Sequence, residues 1–196
     1  MSDAEQSLPL RDGQLRWWPD AFPRASASRL FDVLRSTLPW QQERLTIFGR
    51  EHAVPRLVAW HGDAAARYRY SGVLHEPAAW TDPLLEIRAR VEALSGERFN
   101  SVLANLYRDG RDGMGWHADD EPELGRNPVI ASVSLGATRR FRLKHRASGE
   151  TRSLDLTDGS LLVMCGPLQH HWQHSLAKTA RAVGPRINLT FREIHA

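Results

Sequence analysis

The stretch Asn105–Asp119 constrains the fold and chemistry of this chain more than any other. It predicts a strand, a glycine-punctuated loop and then His117 and Asp119, two residues apart. Side chains at that spacing in an extended segment point to the same side. An imidazole and a carboxylate can therefore occupy adjacent positions around one metal ion. The pair is common by chance, so the rest of the sequence has to support this interpretation.

The overall composition predicts one domain with a sizeable core. The chain has 196 residues, of which 41% are hydrophobic, and no apolar run of membrane-spanning length. Met1–Arg11 lacks a secretory signal, and the single cysteine, Cys165, suits a reducing compartment. We therefore expect a cytoplasmic protein. The formal net charge of +3 favours a polyanionic partner without proving one.

The hydrophobic pattern changes from helical to extended near the middle of the chain. Residues 1–24 are expected to form an irregular arm, followed by helices over Ser26–Thr37 and Thr81–Ser95. Val54–Trp60 is a predicted strand between them. The strands predicted after the second helix are Ser101–Tyr107, Pro128–Leu135, Arg139–His145, Thr151–Leu156, Ser160–Cys165, His171–Ser175 and Arg186–Arg192. This order indicates a mainly β sandwich or barrel that two helices buttress.

Two segments between the predicted helices have features of a nucleic-acid surface. Leu45–Arg50 is either a hairpin turn with partly buried aliphatic side chains or an exposed wedge that enters a base stack. Tyr68 and Tyr70 share one strand face, which is more often core than ligand platform. Their arginine neighbours, Arg67 and Arg69, strengthen the case for nucleic acid.

The last predicted strand, Arg186–Arg192, alternates apolar residues with Arg, Asn, Thr and Arg. Its polar face is either a solvated edge or the inside of a small barrel, where the arginines need anions such as a dicarboxylate. Because Arg186 and Arg192 lie roughly 20 Å apart along a strand, a five-carbon diacid cannot reach both. One arginine would hold the distal carboxylate, and the other would lie near the metal. Asn105 and Tyr107 either donate to the same diacid or are ordinary edge and core residues.

A third metal ligand has to come from the second half of the chain. His170, His171 and His174 cluster there, and their spacing leaves all three eligible. Two histidines and one carboxylate are the facial triad of non-haem Fe(II) oxygenases.

Five motifs carry a family resemblance. They are Asn105-Leu-Tyr-Arg-Asp-Gly, Trp116-His-Ala-Asp-Asp-Glu-Pro, Ile130-Ala-Ser-Val-Ser-Leu-Gly-Ala-Thr-Arg, Trp172-Gln-His-Ser-Leu and Pro185-Arg-Ile-Asn-Leu-Thr-Phe-Arg. Together they resemble the AlkB-type Fe(II)/2-oxoglutarate-dependent dioxygenases, and the match runs from about Phe48 to Arg192. The resemblance implies a double-stranded β-helix, or jelly-roll, core. It also implies oxidative dealkylation of N-alkylated nucleobases in DNA with Fe(II), 2-oxoglutarate and O2, releasing succinate, CO2 and an aldehyde.

The resemblance also implies roles for individual residues. The iron ligands, which are the catalytic centre, would be His117, Asp119 and His174. The residues that hold 2-oxoglutarate would be Asn105, Tyr107, Arg186, Asn188, Thr190 and Arg192. Those that contact the substrate would be Phe48, Gly49, Arg50, Tyr68, Tyr70 and Asp120. Ile47-Phe48-Gly49 resembles the wedge of the duplex-repairing branch, and Asp120 matches the acid that approaches the damaged base.

The resemblance also predicts the domain boundaries, and two alternative functions remain. An arm over 1–24 would precede one domain over 25–196, with a nucleotide-recognition lid at about 45–75 and a core at about 100–196. We expect a monomer that acts on alkylated DNA in the form of a duplex with one flipped base. The same chemistry on single-stranded DNA or RNA is one alternative, and a jelly-roll module that binds metal without catalysis is the other. The loop before Trp116 is richer in glycine than the family pattern, which leaves its rigidity open.

Overall fold

The computed structural model describes residues 4–47, 50–70 and 73–195. In chain order these residues form β1 (Gln6–Leu10), β2 (Gly13–Trp18), α1 (Arg24–Thr37), β3 (Arg44–Ile47), β4 (Arg50–Ala53), β5 (Leu57–Gly62), β6 (Tyr68–Tyr70), β7 (Val73–His75), α2 (Asp82–Ser95), β8 (Ser101–Tyr107), β9 (Met114–His117), a 3-10 turn (Pro122–Leu124), β10 (Ile130–Gly136), β11 (Arg139–His145), β12 (Thr151–Leu156), β13 (Ser160–Cys165), α3 (Leu168–His171), β14 (Trp172–Leu176) and β15 (Arg186–Arg192). The predicted wedge residues Phe48 and Gly49 lie outside the described residues.

Two antiparallel sheets carry the fold, which confirms the predicted jelly-roll class. The larger sheet has the order β1-β2-β13-β10-β15-β8-β5, and the smaller has the order β12-β11-β14-β9. Two separate hairpins, β3–β4 and β6–β7, belong to neither sheet. No helix in the described part of the chain is long and apolar enough to cross a membrane.

The two long helices cover the outer face of the larger sheet. Leu30 and Leu34 of α1 share one core cluster with Ile87 of α2 and with Leu189 and Phe191 of β15. Because side chains alternate along a strand, the other face of β15 points away from the helices. The polar face of this strand therefore lines the space between the sheets and is not a solvated edge.

Local sequence explains where α2 begins and ends. Pro83 lies in its first turn, where its missing N–H costs nothing, and Gly96 follows its last turn with φ of 77°. Leu84, Ile87 and Val91 repeat at helical spacing and are fully buried.

The N-terminal segment is more ordered than the predicted irregular arm. β1 and β2 form a hairpin, and β2 pairs with β13, so the segment extends the larger sheet. Asp12 adopts φ of 52° at the turn, a conformation that Asp tolerates better than most residues. Leu15 and Trp18 are buried. The sequence shows too few alternating residues here to distinguish an edge hairpin from an arm.

Three strand boundaries also differ from prediction. β10 begins at Ile130, β5 begins at Leu57, and β14 begins at Trp172. The last difference arises because Leu168–His171 forms a helical turn that pattern analysis missed.

Replacing Leu15 with Ala tests whether the hairpin belongs to the core. We expect the free energy of unfolding to fall by about 2–5 kcal/mol, because the substitution leaves a cavity under β2. Gln6→Ala on the exposed side of β1 is the matched control and should change stability by less than about 0.5 kcal/mol. Denaturant unfolding measures both. Equal stability of the two variants would mean that the hairpin does not contribute to the core.

Candidate active site

A cavity of about 560 Å³ lies between the two sheets. Its wall includes residues of β8, β14 and β15 together with Arg56, which precedes β5. All nine predicted metal and cosubstrate residues line this space. Those residues are Asn105, Tyr107, His117, Asp119, His174, Arg186, Asn188, Thr190 and Arg192.

One end of the cavity holds a cluster of three potential metal ligands. His117 ends β9, Asp119 follows two residues later, and His174 lies opposite His117 in the antiparallel pairing of β9 with β14. One ligand atom from each residue lies within 4.8 Å of the other two. The three side chains thus converge on one point from two segments of the chain.

The protonation states in this cluster suit a divalent metal. His117 Nδ1 lies 2.9 Å from the carbonyl oxygen of Gly115, so Nδ1–H can donate and leave the Nε2 lone pair free. Burial would raise the pKa of Asp119, but the charges of Arg192 and the two histidines outweigh it and lower the pKa to about 2. Burial lowers the pKa of His174 to about 4. An ionised carboxylate beside a His174 imidazole that burial favours in its neutral form is a donor set that can bind a metal.

The geometry distinguishes among the three candidate histidines. His170 Nε2 contacts the carbonyl oxygen of Arg126. His171 stacks on His145, near Asp12, away from the cavity. Only His174 of the three joins His117 and Asp119 within the described part of the chain.

Two further side chains fix the position of Asp119. Arg192 Nη2 donates to Asp119 Oδ1 at 2.8 Å, which places this arginine at the metal end, where strand geometry had put it. The side-chain oxygen of Gln169 accepts the backbone N–H of Asp119 at 3.0 Å. Gln169 is fully buried and precedes the strand of His174. Sequence reasoning missed it because a single glutamine in a histidine-rich turn gives no distinct signal.

The other end of the cavity contains a buried cation without an acidic partner. Arg186 is 1% exposed, and its Nη2 donates to Ser134 Oγ and Asn188 Oδ1, both at 2.8 Å. Its Nε has no partner among the described residues. Burial lowers the pKa of Arg186 to about 10, while Tyr107 acts in the opposite direction. A buried guanidinium favours an anionic ligand, so a carboxylate of a diacid fits this end.

Other polar side chains along the cavity wall are hydrogen-bonded to one another. Asn188 Nδ2 donates to Thr190 Oγ1 at 2.8 Å. Arg56 Nε donates to Asn105 Oδ1 at 2.8 Å, so Asn105 faces a cation that the sequence did not single out. Arg56 follows Val54-Pro55, and the proline gave the only local hint that this segment turns towards the sheet.

Glu121 lies at the cavity wall, whereas the sequence pointed to its neighbour Asp120. Asp120 is exposed and pairs with Arg146 at 3.1 Å. Glu121 lines the cavity, and burial raises its pKa, with the Asp119 charge adding to the effect. The two acids are adjacent in sequence, so motif matching alone could not decide which one turns inward.

The remaining predicted substrate residues are known only by their backbone. Arg50 begins β4, and Tyr68 and Tyr70 bound β6, in hairpins beside the cavity. Their side chains lie outside the described part of the structure, as do Phe48 and Gly49.

The glycine-rich loop before β9 is held by a dense set of contacts. Arg139 is buried and donates to the carbonyl oxygens of Asp109, Asp112 and Ala177 at 2.8–3.2 Å. A Cβ at Gly110 would lie 2.4 Å from the carbonyl oxygen of Thr179. The glycines therefore permit close backbone approach, and they do not imply a loose loop.

Comparison with known proteins agrees with this site. The sequence model of the 2OG-Fe(II) oxygenase superfamily matches residues 14–192. The chain is 41% identical over 184 residues to DNA oxidative demethylase ALKBH2 of Mus musculus, covering 88% of this chain and 77% of that protein. It is 40% identical over 184 residues to the Bos taurus protein of that name, covering 88% of this chain and 66% of that protein.

A second group of relatives and one solved structure extend the comparison. The chain is 38% identical over 179 residues to alpha-ketoglutarate-dependent dioxygenase alkB homolog 3 of Homo sapiens, covering 86% of this chain and 62% of that protein. The chain thus spans roughly two thirds of several curated relatives. The solved structure of OsALKBH1 superposes with a TM-score of 0.65 at 15% identity, covering 96% of this chain and 100% of that one, which supports the fold alone.

Replacing His174 with Ala tests the metal cluster directly. We expect Co(II) or Fe(II) affinity, measured by titration calorimetry, to fall by about 100-fold or more, because loss of a ligand exceeds the 10–100-fold typical of outer contacts. His170→Ala and His171→Ala are matched controls and should bind metal normally. Unchanged affinity in His174→Ala with a loss in either control would reassign the third ligand.

Proposed function

The chain belongs to the AlkB-type branch of the 2OG-Fe(II) oxygenase superfamily, and we propose that it removes alkyl groups oxidatively from N-alkylated bases in DNA. The observation that carries the proposal is one cavity with a His-His-Asp cluster at one end and an unpaired buried arginine at the other. The curated relatives named DNA oxidative demethylase support the choice of DNA as substrate.

Each end of the cavity has a separate task. His117, Asp119 and His174 would hold Fe(II). Arg186 would hold the distal carboxylate of 2-oxoglutarate, since it is the buried cation farther from that cluster along β15. When bound, iron, 2-oxoglutarate and O2 supply the oxidation that yields succinate, CO2 and an aldehyde from the alkyl group.

The protein residues orient these partners and the base. Arg192 and Gln169 keep the Asp119 carboxylate in one orientation. Glu121 lines the cavity, where burial raises its pKa, and its carboxyl group can accept hydrogen bonds from the edge of a base. We assign this role to Glu121 in place of Asp120, which faces outward.

The size of the cavity agrees with a flipped nucleotide. At about 560 Å³ it lies in the range of small-molecule sites and has no room for a duplex. A target base must therefore leave the stack before it reaches the metal. The chain is basic, with a formal net charge of +3, which favours a polyanionic substrate. We propose duplex DNA as the substrate and a monomeric, cytoplasmic enzyme.

Single-stranded DNA or RNA is the second candidate substrate. The relatives named alkB homolog 3 are nearly as similar to this chain as those named ALKBH2. Relative rates on duplex and single-stranded substrates separate the two. A metal-binding module without catalysis is disfavoured, because such a module has no use for Arg186 buried without an acid.

Mass spectrometry of methylated oligonucleotides tests the function. We expect incubation with Fe(II) and 2-oxoglutarate to restore the unmodified base and to form succinate in equal amount. Asp119→Ala is the control that should do neither. If succinate forms while the oligonucleotide stays unchanged, the protein is an oxygenase, but nucleic acid is not its substrate.

Replacing Arg186 with Met tests the cosubstrate end. We expect the KM for 2-oxoglutarate to rise about 30-fold or more, because a buried charged hydrogen bond contributes at least about 2 kcal/mol. Binding of an oligonucleotide should be nearly unchanged. Arg181→Met, at an exposed position, is the matched control.

A thermal melt separates the role of Arg186 from a folding defect. The variant should melt within a few degrees of the wild type without ligand, since no buried acid loses a partner. It should lose the added stability that 2-oxoglutarate confers on the wild type. Weakened DNA binding with normal 2-oxoglutarate kinetics would assign Arg186 to nucleic acid.

Phe48→Ala tests the wedge that the sequence predicts at Ile47-Phe48-Gly49. Opening one duplex step costs a few kcal/mol, and a single strand largely avoids that cost. We expect repair of a methylated duplex to slow about ten-fold or more, with repair of the same lesion in a single strand nearly unchanged. Loss of both activities together with a lower melting temperature would show a core role for Phe48.

A further inference from the structure

A basic and aromatic patch covers the outer face of the smaller sheet. Along β11 the odd-numbered residues are buried, and the even-numbered residues Arg140, Arg142 and Lys144 are exposed. Phe141 lines the cavity, so its even-numbered neighbours point away from it. On the edge strand β9, Trp116 is exposed next to the cavity residue His117, and the Arg142 guanidinium lies over its ring, which places Trp116 on the same outer face. We call Trp116, Arg142 and Lys144 the outer patch.

The outer patch combines an exposed aromatic ring with cations that lack acidic partners. Trp116 is 40% exposed and is, with Leu85, one of two large hydrophobic side chains so exposed in the described part of the chain. The Arg142 guanidinium lies over its ring, 5.5 Å from the centroid. Neither Arg142 nor Lys144 forms an ion pair with any described acid. The other exposed arginines of this sheet are paired, Arg140 with Asp155 and Arg152 with Glu150.

Arg142 is exposed and has no acidic partner among the described residues, so its guanidinium can bind an anion. A guanidinium presents up to five N–H donors in one plane. Those donors match the two oxygens of a phosphate. The indole beside them offers a surface on which a base or sugar can stack. A nucleic acid carries phosphates and bases side by side along one strand, so it can contact the guanidinium and the indole together.

The outer patch is also close to the proposed site of chemistry. Trp116 precedes the metal-ligand candidate His117 on the edge strand, so a strand of nucleic acid that crosses this edge can reach both faces. Arg146, just beyond β11, pairs with Asp120, which follows Asp119. Charged side chains thus continue from the outer patch to the loop that carries Asp119.

We propose that the outer patch binds the nucleic-acid strand beside the flipped nucleotide. Trp116 stacks on a neighbouring base or sugar, and Arg142 and Lys144 bind the adjacent phosphates. This proposal rests on the proposed function, since it assumes a nucleic-acid substrate. It adds a contact surface separate from the cavity, the wedge segment and the lid.

Anisotropy of a labelled methylated oligonucleotide, measured anaerobically over a range of salt concentrations, tests the proposal. Trp116→Ala should weaken binding about 5- to 100-fold, with little change in salt dependence. Arg142→Gln should lower the slope of log affinity against log salt by about 0.9 for duplex or 0.7 for single strands, and Arg142→Lys should retain the slope. Leu85→Ala, at the other exposed hydrophobic residue, should bind like the wild type.

The outcomes distinguish this proposal from the function on which it rests. Wild-type affinity and salt slope in Trp116→Ala and Arg142→Gln would overturn the outer patch, even if the wild type repairs DNA. A wild type that neither binds nor repairs any oligonucleotide would overturn the proposed function. Equal competition by polyglutamate would indicate an acidic protein partner and would also overturn the outer patch. Trp116→Phe should recover most of the affinity if stacking is the cause.

Discussion

The buried cation of Arg186 is the constraint on which the rest of the structure depends. A guanidinium at 1% exposure is costly unless its donors are used, and two of its hydrogen bonds go to the neutral oxygens of Ser134 and Asn188. Those partners lie on adjacent strands, β10 and β15, at paired register positions. The helices on the opposite face keep this strand pair central in the larger sheet. The fold thus maintains a positive site whose full charge balance requires an anion from outside.

The positions of the potential metal ligands at the other end of the cavity also depend on strand register. His117 and His174 face each other only because β9 pairs with β14, and Asp119 lies in the loop that follows β9. Arg192, at the far end of the strand that carries Arg186, holds the Asp119 carboxylate. One strand therefore contributes to both ends of the cavity and fixes the distance between them. A shift of register by one residue would turn both arginines into the helix-packed core.

Much of this arrangement could be predicted from the sequence, and the failures have physical reasons. Alternation along Arg186–Arg192 identified the polar face, and strand geometry separated the roles of its two arginines. The N-terminal hairpin was missed because edge strands carry short and partly exposed patterns. Gln169 and Arg56 were missed because each acts through one long-range hydrogen bond, which leaves no periodic signal. Glu121 was missed because motif spacing does not determine which of two adjacent acids turns inward.

The reaction is easier to infer from the sequence than the substrate, because the residues for the two lie in different parts of the fold. The metal and cosubstrate residues lie on strands inside two large sheets, where packing and pairing fix each side chain. Of the predicted substrate residues, Arg50 lies on β4 and Tyr68 and Tyr70 lie on β6, in separate two-stranded hairpins. An isolated hairpin is marginally stable in water, so its sequence can change with little cost to the core. Substrate choice can therefore vary among proteins that share this cavity, and identity over the core constrains the reaction more tightly than the nucleic acid on which it acts.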